Sequence, residues 1–152
     1  MRPEFQDKIV LDVGAGTGIL SIFAAKIGAR HVYAIEPSKT SQLAKELVAE
    51  NGLSDKITVI SKRVEDLVLD EDIPKVDIII SEWMGYCLLY EGMLDSVLFA
   101  RDNFLVKDGL IFPERARIYV AAINDYTYKT EKDGFYRDMN PYGISMKCFR
   151  KK

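Results

Sequence analysis

Apolar residues along this chain fall in short runs, each closed by glycines or charged residues and followed by a longer segment with helical spacing. The run from Lys8 through Val13 (KIVLDV) is apolar on both alternating faces and stops at glycine, as a parallel strand buried on both sides does. Residues 18–27 then predict a helix whose apolar face is Ile19, Leu20, Ile22, Phe23 and Ile27, closed by Gly28. A second strand is expected over 31–35, a second helix over 41–51 ending at Asn51-Gly52, and a third strand over 57–60. The β-branched run at 76–81 (VDIIIS) reads as the most central strand. A helix over 90–104 and a fifth strand over 109–112, before Pro113, complete the series. Such alternation predicts an α/β fold: right-handed crossovers, a parallel sheet and helices on both faces. In these sheets ligands sit at the carboxyl ends of the strands, where strand order reverses.

Beyond residue 115 the pattern changes. Residues 117–123 (RIYVAAI) predict one more strand, and 126–152 mixes tyrosines and phenylalanines with many charges.

At 152 residues the chain suits one sizeable core. A hydrophobic share of 48% with 29% charged residues is that of a soluble globular protein. No apolar run reaches the roughly 18 residues of a membrane span, and no apolar segment of a secretory signal follows Met1. With Cys87 and Cys148 as the only cysteines, a reducing intracellular setting, cytoplasm or nucleus, is expected. The net charge of -2 offers no general case for direct nucleic-acid binding. One histidine and two distant cysteines do not make a usual zinc site, so no metal is expected. His31 opens its strand, the wrong end for a catalytic triad, and reads as structural or surface.

The chemistry begins at Gly14-Ala15-Gly16-Thr17-Gly18, directly after the first strand and opening the first helix. Bare backbone there lets a ligand approach free N–H groups at a helix N-terminus. A dinucleotide fingerprint needs its third glycine at position 19, which is Ile19, and a Walker loop needs a lysine after the last glycine. Asp12 stands just before the glycines. Glu36 ends the second strand, 22 positions after Gly14 (36 minus 14), where an acid accepts from ribose hydroxyls; the bland reading is a solvated carboxylate.

The other informative stretch is S-E-W-M-G-Y-C-L-L-Y-E, from Ser81 to Glu91, starting where the most apolar strand stops. Glu82 and Glu91 flank an aromatic loop containing glycine. A guanidinium offers five N–H donors in a planar fork and keeps its charge, so two carboxylates can each take a pair and leave one nitrogen free. The plain alternative is that Trp83, Met84 and Tyr86 are core residues.

Together the D-V-G-A-G-T-G loop and the S-E-W-M-G-Y-C-L-L-Y-E loop, continued by Met93-Leu94 and by D-G-L-I-F-P at 108–113, resemble the protein arginine N-methyltransferases over almost the whole chain. The resemblance implies a Rossmann-like class I fold using S-adenosylmethionine, with S-adenosylhomocysteine as product. It implies that Glu82 and Glu91 clamp the substrate guanidinium. Asp12, Gly14, Gly16, Glu36, Val64, Glu65 and Met93 align with cofactor positions, Val64 and Glu65 facing the adenine. Glu65 also reads as a plain surface residue in a charge-rich loop. The implied domains are 1–115 for the cofactor, 116–125 as the first strand of a truncated β-barrel and 126–152 as part of a dimerisation arm.

The resemblance further implies arginine-containing protein substrates, Gly/Arg-rich segments or histones, and a homodimeric parent. Three family features have no counterpart here: a helix before the first strand, the C-terminal barrel and its Thr-His-Trp loop. The chain is therefore expected to be a fragment. Two rival readings stay open: a fragment that binds cofactor or dimerises without catalysis, and a methyltransferase for another nucleophile.

Overall fold

The computed structural model describes residues 3–131. The chain divides into two compact units, Met1–Ile118 and Tyr119–Lys152. The first holds every strand found among the described residues: β1 (Ile9–Val13), α1 (Ile19–Lys26), β2 (His31–Ile35), α2 (Thr40–Glu50), β3 (Ile57–Ile60), β4 (Val76–Ile80), α3 (Leu94–Phe104) and β5 (Leu105–Phe112). Single 3-10 turns lie at Pro3–Phe5 and Val64–Asp66. In the second unit, residues 126–131 are helical; the rest of the expected arm, with Cys148, lies outside the described residues.

All five strands pair in parallel in the order β3-β2-β1-β4-β5. The order reverses between β1 and β4, so the expected crevice lies at their carboxyl ends. This is the doubly wound Rossmann-like fold that the alternation predicts.

Successive residues of β1 face opposite layers. Val10 joins Ile22, Ala24 and Ala25 of α1, Val48 of α2, and Val32, Ile57 and Ile78. Leu11 and Val13 join Ile35, Ile79, and Val97, Ala100 and Phe104 of α3. Burial on both faces is why β1 and β4 read as nearly unbroken apolar runs. Each fully buried Val, Leu or Ile contributes about 1.5–3 kcal/mol relative to exposure.

Four expectations need correction. The helix expected from Tyr90 starts at Leu94, because residues 85–92 are spent in turns that close the loop after β4. β5 starts at Leu105, directly behind α3, and pairs Val76 with Leu105 before resuming at Ile78 with Leu110. The intervening Val106–Asp108 segment bulges outward and is exposed, which hid the early start behind charged residues. On α1, Ile19 and Phe23 are exposed, whereas the small Ser21, Ala24 and Ala25 pack inward with Ile22. Finally, the strand expected over 117–123 has no ladder: Ile118, Tyr119, Val120 and Ile123 are exposed, and no strand among the described residues pairs with them. Residues outside any ladder leave their N–H and C=O groups to water.

Among the described residues no helix is long and apolar enough to cross a membrane, and no group of three or more His, Cys, Asp or Glu is placed to hold a metal ion. His31 packs against Tyr33 and bonds Thr58 at the amino end of the sheet, away from the crevice.

Candidate active site

The glycine loop leaves β1 with Gly14, Gly16 and Gly18 all at positive φ (72°, 56° and 83°), a conformation open to glycine without strain. Gly14 N and Ala15 N both donate to the Ile35 carbonyl, pinning the loop to the end of β2. Glu36 completes the clasp. Its Oε2 accepts from Gly16 N at 2.9 Å, and its Oε1 accepts from Ser38 N at 2.9 Å. Desolvation raises this buried carboxyl's pKa, but the bonds from Ser38 and Gly16 outweigh it and hold the group below its ordinary value. Each oxygen keeps a second lone pair.

Asp12 lies beneath this loop at 1% exposure. Ser21, buried on α1, donates to Asp12 Oδ2 at 2.7 Å, while Oδ1 is buried without a partner. Burial lifts the Asp12 carboxyl to about 6, against smaller opposing effects from Ser21, with Glu36 adding to the rise. A buried acceptor with nothing to accept is costly unless something arrives to fill it.

A cavity of about 180 Å³ opens beside the loop, lined by Val13, Gly14, Ile35, Glu36, Pro37, Arg63, Val64, Met93 and Ser96. Four of the residues singled out in the sequence therefore meet around one hollow: Gly14, Glu36, Val64 and Met93. Met93 lies so close over Gly14 that a side chain at position 14 would collide with its Cε. Glu65 is not in the lining. It is held from both sides by residues that are: Ser96 Oγ donates to its Oε1 at 2.5 Å, and Arg63 Nε donates to its Oε2 at 3.3 Å. The bond from Ser96, ahead of opposing desolvation, keeps Glu65 below its ordinary pKa. Arg63 and Ser96 were missed in the sequence. The only signal for Ser96 was its place one helical turn after Met93.

The loop after β4 is anchored by Trp83, which is 7% exposed. Ser81 N donates to the Phe112 carbonyl, and its hydroxyl donates to the Val13 carbonyl at 2.8 Å. Gly85 and Leu88 exchange two backbone hydrogen bonds, with Cys87 and Leu88 both at positive φ (49° and 66°). Non-glycine residues held there cost about 1–2 kcal/mol each, a strain found where function fixes the backbone. The turn sends the chain back so that Glu91 packs on Gly85, and a Cβ at position 85 would stand 2.6 Å from Glu91 Cγ. Glu82 lines a separate, largely apolar cavity of about 430 Å³ with Leu20, Phe23, Met84, Phe112 and Pro113. Both glutamates are exposed, and neither carboxylate takes a hydrogen bond or ion pair from the described residues. Trp83 fits the core reading; Tyr86 does not, at 84% exposure.

Residues 3–97 match the family model of ribosomal protein L11 methyltransferase (PrmA). A probable protein arginine N-methyltransferase 1.2 of Arabidopsis thaliana is 55% identical over 147 residues, 97% of this chain and 39% of that protein. Protein arginine N-methyltransferase 1 of Saccharomyces cerevisiae is 56% identical over 145 residues, 95% of this chain and 40% of that protein. The chain belongs to these methyltransferases, in the protein arginine N-methyltransferase family. Its arginine-methyltransferase fold superposes on the PRMT1 enzyme-prozyme heterotetrameric complex of Trypanosoma brucei, solved with AdoHcy, with a TM-score of 0.82 and 50% identity over 97% of this chain and 45% of that one. The chain thus spans about two fifths of the length of the curated arginine methyltransferases it matches.

Proposed function

We propose that the protein transfers a methyl group from S-adenosylmethionine to a guanidinium nitrogen of arginine residues in other proteins. The observation that carries this reading is the pair of exposed, unpartnered carboxylates, Glu82 and Glu91, at the two ends of a strained loop that leaves the strand beside the glycine loop.

The residues around the smaller cavity fit the cofactor, together with Asp12 and Gly16, which lie in the adjoining strand end and loop outside its lining. Asp12 Oδ1 is a buried acceptor suited to the ammonium of the methionine portion. No atom lies within 4 Å of where a Cβ on Gly16 would stand, leaving room for close approach to bare backbone. The free lone pairs of Glu36 suit the ribose hydroxyls, and Val64, Glu65 and Met93 suit the adenine side. When bound, the cofactor supplies an electrophilic methyl on a sulfonium, and its product is S-adenosylhomocysteine.

The chain's own part is binding and orientation. Glu82 and Glu91 accept paired N–H bonds from the guanidinium, fix its plane and draw positive charge toward the bonded nitrogens, leaving one nitrogen richer in electron density. One of the two then accepts the proton released from the methylated nitrogen. No metal enters this scheme. Gly/Arg-rich segments or histones as substrates, a homodimeric parent and a cytoplasmic or nuclear setting go with the reading.

Glu91→Gln keeps the shape and removes the charge. In the longest natural form of the protein, methyl transfer to a Gly/Arg-rich peptide should fall by about two orders of magnitude, as for loss of a group aimed at reacting charge. Unchanged turnover would remove the clamp. A cofactor-binding module without chemistry predicts S-adenosylhomocysteine binding with no labelled arginine in any form of the protein. Label in RNA or metabolites, and none in peptides, would point to another nucleophile.

A further inference from the structure

We propose that Arg63 is a positioning residue that orients Glu65 and thereby sets the selectivity of the site for a 6-amino over a 6-oxo purine; this rests on the reading of Glu65 as the adenine acceptor. Arg63 is the last extended residue before the 3-10 turn Val64–Asp66. It lines the same cavity as Gly14, Glu36 and Met93. Its Nε donates to Glu65 Oε2, and Ser96 occupies Oε1 from the far wall. With one fixed donor on each oxygen, the carboxylate is held at both ends, and only its remaining lone pairs are open to a ligand. An ionised carboxylate is purely an acceptor. It takes an N–H from an exocyclic amine and repels a carbonyl oxygen at the same place.

The Arg63–Glu65 pair is largely exposed on the arginine side, and such pairs contribute little to folding. A ring seated in the cavity displaces water from around it, and the pair strengthens as local screening falls. Loss of Arg63 should therefore leave stability nearly unchanged yet alter ligand choice. Direct contact of the arginine with the ligand would weaken both purines alike. Positioning of Glu65 changes the ratio.

The test is calorimetric binding of S-adenosylhomocysteine and S-inosylhomocysteine to the unaltered chain and to the Arg63→Ala, Arg63→Lys and Glu65→Gln variants. The unaltered chain should prefer the amino ligand by roughly tenfold to a hundredfold, the scale of a buried polar group left unpaired. Arg63→Ala should cut that ratio by about tenfold, with thermal midpoint unmoved, and Arg63→Lys, which keeps the cation, should restore most of it. A full ratio in Arg63→Ala alongside a collapsed one in Glu65→Gln overturns the inference and leaves the adenine reading intact. A full ratio in Glu65→Gln overturns that reading and the inference together. No binding by the unaltered chain overturns the cofactor assignment, and this inference with it.

Discussion

Asp12→Asn should remove a fall in stability with rising pH that the buried Asp12 carboxyl imposes on the unliganded chain. Folding lifts the Asp12 carboxyl from 3.8 to about 6, chiefly through burial, so the native state binds this proton more tightly than the unfolded one. Below 3.8 both states hold the proton and the group costs nothing. Between 3.8 and about 6 the unfolded chain ionises first and stability falls. Above that range the full penalty is in place: about 3 kcal/mol, at about 1.4 kcal/mol for each tenfold change in proton affinity. Asparagine still accepts from Ser21 and does not titrate. Its NH2 group leaves two unpaired N–H donors where Oδ1 stood, a cost that is the same at every pH. The informative quantity is therefore the stability difference between wild type and variant, in which the other carboxylates cancel. Urea unfolding across a pH series should show that difference moving by about 3 kcal/mol in the variant's favour as pH rises, or about 1.5 M in relative midpoint for a slope near 2 kcal/mol/M. Ser21→Ala should steepen the wild-type fall, since the serine bond lowers the Asp12 pKa. Saturating S-adenosylhomocysteine, whose ammonium would meet Oδ1, should flatten it. A wild-type-minus-variant difference that stays constant with pH would refute the reasoning.

Glu36→Gln offers one acceptor where two backbone N–H groups converge, so thermal or urea unfolding at neutral pH should show a loss of about 2 kcal/mol. Because folding lowers the Glu36 pKa, its stabilisation is present above the ordinary 4.5 and lost as pH falls through the lowered value; the two stability curves should converge in acid. Gly85→Ala would push Glu91 off its seat. Methyl transfer by the longest natural form should drop at least about tenfold, with S-adenosylhomocysteine affinity held within about twofold, since misplacement of about 1 Å is enough to cost that much. Phe104→Ala, at a position 1% exposed between α3 and the sheet, should cost about 3–5 kcal/mol in chemical unfolding.

The sheet was legible because β1 and β4 carry runs that burial on both faces explains, and the observed bounds of β1, β2, β3 and β4 fall within a residue of the expected ones. The glycine loop was legible because its backbone needs are met by one residue type. Glu36 was recognised by position, but its role as a clasp on Gly16 was not, because a contact across 20 residues leaves no local trace. The glycine in the loop was noticed, but the reason for it was not: Gly85 is needed as space for Glu91, and no positive φ marks it. The late start of α3 was hidden because Tyr90 and Glu91 suit a helix in isolation, and the pair of hydrogen bonds between Gly85 and Leu88 overrides that preference. The 117–123 segment carries a strand's pattern without a strand's partner, and pairing is what sequence pattern does not supply.

Ser81 ties the ends of three neighbouring strands to one another, through the Val13 carbonyl on one side and the Phe112 carbonyl on the other. Val13 leads into the glycine loop, and Ser81 leads into Glu82. On the proposed reading, the seat of the methyl donor and the first carboxylate of the clamp are thus riveted to a common floor, by this hydroxyl together with the ladder that pairs β1 with β4. Under that reading the gap a methyl would cross is set in this floor, so a change of substrate would be a matter of the walls above it, while a change of reach would mean drilling out the rivet.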